Sequence, residues 1–268
     1  MDRSLLKNII IIILVLVNGF LLTTLLMRQT SAVHSRQQTE EQLTELFAAD
    51  GMTLEKQAFS RKTPPPVFAL TRNPELERSV AAFFLGSSLI QEDQGGGTHT
   101  YTADSGVARF RSNGSFEVAG TLSTGDAESL YRSFCKNFSY DSLRFDLDNT
   151  GTGTATAVCI CNDLPVFNCI VTFTISHGEL RTVSGVFLSH EGNSLVSETE
   201  PLSAAAALTA FQNVRREIGA VVSSVTELTL CYELQNSSTL TLTPAWRIAT
   251  DTKQYYVNCL SGAVTAEN

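Results

Sequence analysis

Asn8–Met27 reads NIIIIILVLVNGFLLTTLLM, twenty residues without a charge between Lys7 and Arg28. A helix rises about 1.5 Å per residue, so a stretch of this length reaches roughly 30 Å, the hydrocarbon thickness of a bilayer. The stretch predicts one transmembrane helix with the rest of the chain on one side of it. The competing reading is a cleaved leader, with Thr30-Ser31-Ala32 as a small-residue cleavage site. Cleaved apolar cores run about 7–15 residues, shorter than this one. The residues Met27-Arg28-Gln29 are also bulkier and more polar than a cleavage site prefers. Arg3 and Lys7 precede the stretch and Arg28 and Arg36 follow it, so the charge bias is weak. The short leading segment and the large following one favour a cytoplasmic N-terminus and an extracytoplasmic C-terminal domain at the cell membrane. Asn18, Gly19 and Thr23 are polar or small, and Gly19 and Thr23 share a helix face, which makes them the expected partner-binding positions. The bland alternative is that they pack against lipid.

The expected organisation is a tail at 1–7, the span at 8–27, a helical stalk at 28–50, a first α+β unit at 51–120 and further α+β units at 121–268. In the stalk, Leu43, Leu46 and Phe47 recur at helical spacing within Gln37–Ala49, and Gly51 ends the run. Met52–Phe59 and Val67–Leu70 look strand-like, separated by Thr63-Pro64-Pro65-Pro66. Asn73-Pro74 is an N-cap with proline at the first helical position, followed by Leu76, Val80, Phe83 and Phe84. Beyond a polar Gln91–Gly97 loop come the strands Thr98–Thr102, Val107–Arg111 and Ser115–Val118, with an Asn113-Gly114 hairpin turn.

The same plan recurs downstream. Asp126–Phe138 is a predicted helix, followed by the strands Ser142–Leu147, Thr154–Cys161, Val166–Ser176 and Leu180–Leu188. A helix opening at Pro201 precedes Ser224–Leu234, Thr239–Thr250, Gln254–Cys259 and Ala263–Thr265. The expectation is an α+β fold: a transmembrane helix, then an extracytoplasmic domain of repeated helix-plus-antiparallel-sheet units of PepSY/YycH-like type.

The 268-residue chain is 43% apolar and 17% charged, with a net charge of -8. Setting aside Asp2, Arg3 and Lys7 leaves 17 basic and 26 acidic residues, about -9 beyond the span. An acidic surface without a Lys/Arg cluster argues against nucleic acid as a partner. Cys135, Cys159, Cys161, Cys169, Cys231 and Cys259 make an even number that permits disulfides. Cys159 and Cys161 fall on one side of a strand and Cys169 on the returning one. A bridge from either to Cys169 stands open beside the reading of small buried side chains.

No set of residues at known spacing suggests a reaction. His34, His99, His177 and His190 lack partners at metal-ligand or triad spacing. Gly95-Gly96-Gly97 lacks the strand-before, helix-after setting of a phosphate loop. Asp146-Leu147-Asp148-Asn149-Thr150-Gly151 matches a calcium loop at three positions, but Ala157 stands where the bidentate glutamate belongs, so a polar turn is expected. The sole tryptophan, Trp246, alternates with Ile248 and is expected in a core. The sequence thus implies no catalytic residue, no cofactor and no metal.

Met1-Asp2-Arg3-Ser4 followed by one span resembles the YycI proteins of Gram-positive bacteria. So does the ending Pro244-Ala245-Trp246-Arg247-Ile248 and Tyr255-Tyr256-Val257-Asn258-Cys259-Leu260-Ser261-Gly262-Ala263-Val264. The resemblance implies a non-enzymatic, membrane-anchored regulator of the YycFG (WalRK) two-component system. Its partners would be the sensor histidine kinase YycG (WalK) and YycH, met through transmembrane and extracytoplasmic contacts, and the outcome a change in cell-wall metabolism. Whether it works as a homo- or hetero-oligomer stays open. Pro201–Phe211 with its following strands also looks like a PepSY module. The alternative function is therefore a membrane-tethered module that binds or inhibits an extracytoplasmic peptidase or cell-envelope ligand.

Overall fold

The protein is described by a computed structural model covering Leu14, Val17, Asn18 and residues 37–122, 126–196, 199–236 and 239–267. The stretch Asn8–Met27 lies outside these residues except for Leu14, Val17 and Asn18, which are helical and exposed. Among the described residues no helix is long and apolar enough to cross a membrane. The longest from residue 37 onward has 15 residues, carries Arg215 and Arg216, and buries only one face. The expected single-pass, cell-membrane architecture with an extracytoplasmic domain is corrected on that finding.

In chain order the structure has α1 (37–49), β1 (Thr53–Leu54), a 3-10 turn (Lys56–Ala58), β2 (Val67–Leu70) and α2 (Pro74–Leu85). Then follow β3 (Ile90–Asp93), β4 (His99–Ala103), β5 (Gly106–Phe110), β6 (Ser115–Gly120) and α3 (Ala127–Phe138). Next come β7 (Tyr140–Leu147), β8 (Gly153–Cys161), β9 (Leu164–Ser176), β10 (Glu179–Val186) and β11 (Gly192–Leu195). The chain continues with α4 (Ala204–Ile218), β12 (Ser224–Asn236), β13 (Leu240–Thr250), β14 (Gln254–Asn258) and β15 (Val264–Ala266).

The expected string of helix-plus-sheet repeats is also corrected. The strands join one fifteen-stranded mixed sheet, and only four helices pack on it among the residues from 37 onward. The helices lie where apolar spacing predicts them, and the strands after each pair in sequence order, but these runs join one sheet in place of closing separate ones. β6 pairs with β10, and β2 pairs with β13 and β11, so partners come from distant parts of the chain. One half of the sheet is the antiparallel run β7-β8-β9-β10-β6-β5-β4-β3. The other half is built on β11-β2-β13-β12, and the halves meet at a single parallel pair, Tyr232 with Val166.

Two cores sit on these halves. Under the first, α2 and α3 bring Phe84 and Phe134 together with Phe173 of β9, at ring separations of 5.5 and 5.2 Å. Under the second, α1 and α4 press Phe47, Leu208 and Phe211 onto Trp246, Ile248, Tyr255 and Val257. Each such side chain contributes roughly 1.5–3 kcal/mol by leaving water. The helix starts follow from capping. Asn73, Asp126 and Ser203 each accept a hydrogen bond from the backbone N–H three residues on. Ser203 therefore begins α4, and Pro201, the expected start, stands just outside it.

The strand reading differs elsewhere too. Only Thr53–Leu54 of the Met52–Phe59 stretch forms a strand, whereas Ile90–Asp93, which runs into the loop expected at Gln91–Gly97, is an edge strand. Gly106 and Gly120 face each other across β5 and β6 with φ of +157° and +148°. A Cβ on Gly120 would stand 2.2 Å from the Ser105 carbonyl oxygen, so the strands approach this closely only because neither residue has a side chain.

Candidate functional site

The densest convergence of buried polar groups lies where the first turn of α2 meets β4 and the end of β5. Glu77 occupies the buried stripe of α2 with Val80, Ala81 and Phe84, and its side chain is 7% exposed. Arg72, one residue before the N-cap, donates from Nε to Glu77 Oε1 at 2.6 Å and from Nη2 to Oε2 at 3.0 Å. The same guanidinium donates from Nη1 to the Gly97 carbonyl at 2.5 Å and from Nη2 to the Phe110 carbonyl at 3.1 Å. His99 Nδ1 lies 2.9 Å from Glu77 Oε2, which places the ring proton on Nδ1.

The surroundings extend the network. Tyr101 donates to the Pro74 carbonyl at 3.2 Å, and burial, reinforced by the Glu77 charge, raises its phenol above the usual range. Ser189 donates to the Thr71 carbonyl, and Asn73 donates to Glu191 at 2.8 Å. His190 is half-buried, its Nε2 has no partner among the described residues, and burial lowers its pKa. The cavity between these groups has a volume of about 20 Å³ and is lined by Arg72, Glu77, Arg111, Ser112 and Ser189. That is room for about one water.

Both oxygens of Glu77 already accept hydrogen bonds, and the Arg72 fork is turned onto two carbonyls as well as the carboxylate. The arrangement therefore clamps three chain segments: the lead into α2, the turn at Gly95–Gly97 and the end of β5. Gly97 takes part through its backbone, at φ +75°, with Ser112 Cβ 2.9 Å from where its own Cβ would stand. The triple glycine serves a tight turn here.

The sequence reading set His99 aside as a histidine without partners and passed over Arg72 and Glu77. The available signal was a glutamate at 77 in the 77, 80, 81, 84 apolar spacing, a place that water-facing charges avoid.

The other expected positions fall elsewhere. Of the partner-binding trio Asn18, Gly19 and Thr23, only Asn18 lies within the described residues. Its Nδ2 donates to the Leu14 carbonyl at 2.8 Å along its own helix. Asp148 accepts from the Thr150 hydroxyl at 2.6 Å and from the N–H groups of Thr150 and Thr152, at 2.8 and 2.9 Å, inside a polar turn, and these hydrogen bonds, the hydroxyl's first, lower its pKa. Asp146 instead pairs with Arg144. All six cysteines are buried free thiols. Trp246 is fully buried in the second core.

A second tie joins α1 to α4. Asp50 accepts from Gln212 Nε2 and from Arg216 Nε, the latter at 2.5 Å, with Arg215 Nη1 at 3.5 Å. The Arg216 hydrogen bond, set against desolvation, holds the carboxyl below its ordinary value.

No family model matches the chain. No curated protein matches it either. Among solved structures it is similar to an uncharacterized protein from Eubacterium rectale ATCC 33656, over 81% of this chain and 90% of that one. The identity is 11% and the TM-score 0.44, too distant a likeness to carry an argument.

Proposed function

We propose that the chain is a non-enzymatic regulatory protein acting by protein contact, in the way its resemblance to the YycI proteins implies. It modulates a sensor histidine kinase of the YycG (WalK) kind, alongside YycH, and through the response regulator alters cell-wall metabolism. The observation that supports this reading is the state of the Arg72–Glu77–His99 cluster. Its charges are engaged with one another and with backbone carbonyls, around a space no larger than a water. Groups so engaged fix the shape of a surface and leave no acid, base or nucleophile turned toward a substrate. The residues that carry the resemblance, Pro244–Ile248 and Tyr255–Val264, lie in and around the β13-β14-β15 meander, a rigid platform of the kind a binding protein presents.

The test is reconstitution. Purified full-length chain is added to a purified kinase of this type, and both co-purification and autophosphorylation rate are measured. Stable association with a changed rate is expected. Neither association nor a changed rate would remove the reading.

A further inference from the structure

β7 is an edge strand. It pairs with β8 on one side and with nothing on the other among the described residues. From Asp141 to Leu147 its residues are exposed apart from the half-buried Phe145. Two large apolar side chains stand out, Leu143 at 55% and Leu147 at 38% exposure. Between them Arg144 and Asp146, on the face opposite Phe145 and Leu147, form an exposed ion pair. A long edge with exposed leucines is a template for a further strand, and proteins normally blunt such an edge. Its blunting devices here are a bulge between Ser142 and Arg144 and two charges. Leu143 is the unpaired residue of that bulge, so the regular segment of the edge is 144–147.

The charges decide what fits. We infer that the free edge of β7 pairs antiparallel with β7 of a second copy of this chain, about a two-fold axis at Phe145. In that register Phe145 faces Phe145, Arg144 of each copy faces Asp146 of the other, and Leu147 comes against the bulge at Leu143 of the other copy. Sliding the pairing by two residues in one direction sets Arg144 on Arg144, and in the other Asp146 on Asp146. Like charges directly opposite are unfavourable. Sliding by one residue turns Phe145 and Leu147 onto the charged face. One register thus satisfies charge, apolar contact and face together, and it is self-complementary as a two-fold interface requires. The result is an antiparallel sheet continuous through both copies. This inference is independent of the kinase reading, since it concerns only β7.

Sedimentation of the full chain in a nonionic detergent, which keeps Asn8–Met27 from associating by itself, tests it directly. Wild-type protein is expected to be a dimer, and Arg144→Asp and Asp146→Arg each to be monomeric. Mixed, the two variants restore opposite charges at both positions and are expected to form a heterodimer. A second readout guards against misfolding. Leu143→Cys mixed with Leu147→Cys cross-links on mild oxidation by molecular oxygen, two thiols losing two electrons and two protons. Leu143→Cys alone does not, because the two copies of residue 143 are offset by four residues, about 13 Å. A monomeric wild type, a dimer indifferent to Arg144→Asp, or a mixture that neither associates nor cross-links would overturn the inference.

Discussion

The indole N–H of Trp246 donates to the carbonyl of Leu202 at 2.8 Å, joining β13 to the lead into α4 across 44 residues. That carbonyl sits beside a fully buried ring, so it depends on this donor. Trp246→Phe keeps an aromatic ring in the second core but removes the donor. It is expected to cost about 1–3 kcal/mol in urea unfolding. An unchanged midpoint would mean that water takes over the bond.

Glu77→Gln leaves the Arg72 guanidinium partly buried without its counter-charge. Arg72 keeps a quarter of its side chain in water, which screens the loss, so about 2 kcal/mol is expected. Glu128→Gln makes the comparison, because Glu128 and Arg132 form an exposed pair on α3 and its removal should cost under about 1 kcal/mol. Equal midpoints for the two variants in the same denaturant series would count against the clamp.

The tie at Asp50 is pH-dependent. Its folded pKa lies below the ordinary value near 3.8, chiefly through the Arg216 hydrogen bond. A depressed folded pKa contributes stability that is present above the unfolded value and disappears as pH falls through the folded one. Asp126, Asp148 and Asp251 are lowered as well, so the wild-type melting curve alone does not isolate Asp50. The difference in melting temperature between wild type and Asp50→Asn does. It should be constant near neutrality and shrink below about pH 4.

The thiols should be silent in the folded protein. Burial pushes Cys161 up to about 11 and Cys259 up to about 12, and Cys231 rises further for the same reason. At pH 8 a thiol with a pKa of about 11 is thiolate about one part in a thousand. A disulfide reagent should therefore find no fast-reacting cysteine in native protein and all six after denaturation.

The helices were legible in the sequence because their signal is local. The apolar spacing of Val80 and Phe84, of Leu130 and Phe134, and of Leu208 and Phe211 marks inward stripes, and Asn73 and Asp126 mark starts, whereas the start expected at Pro201 falls at Ser203. The turn at Asn113-Gly114 was equally plain; at the β9–β10 turn His177 and Gly178 both take positive φ, 53° and 77°. Strands within each run pair in sequence order, as the turns imply, but the joins between runs were not legible. Nothing in Phe68 or Ala69 points to Leu242 or Thr241, their partners more than 170 positions away. β3 was hidden because Ile90-Gln91-Glu92-Asp93 is wholly exposed and shows no alternation. The Arg72–Glu77–His99 cluster escaped because its members meet only after α2 has docked on β4 and β5.

The second core has a consequence for how the chain is made. Phe47 shares its core with Trp246 and Tyr255, which are made only about two hundred residues later. At about 5–20 residues per second, α1 waits roughly 10–40 s with its apolar face uncovered while the ribosome completes β13 and β14. During that interval a nascent-chain chaperone has a defined surface to hold: Leu43 and Phe47.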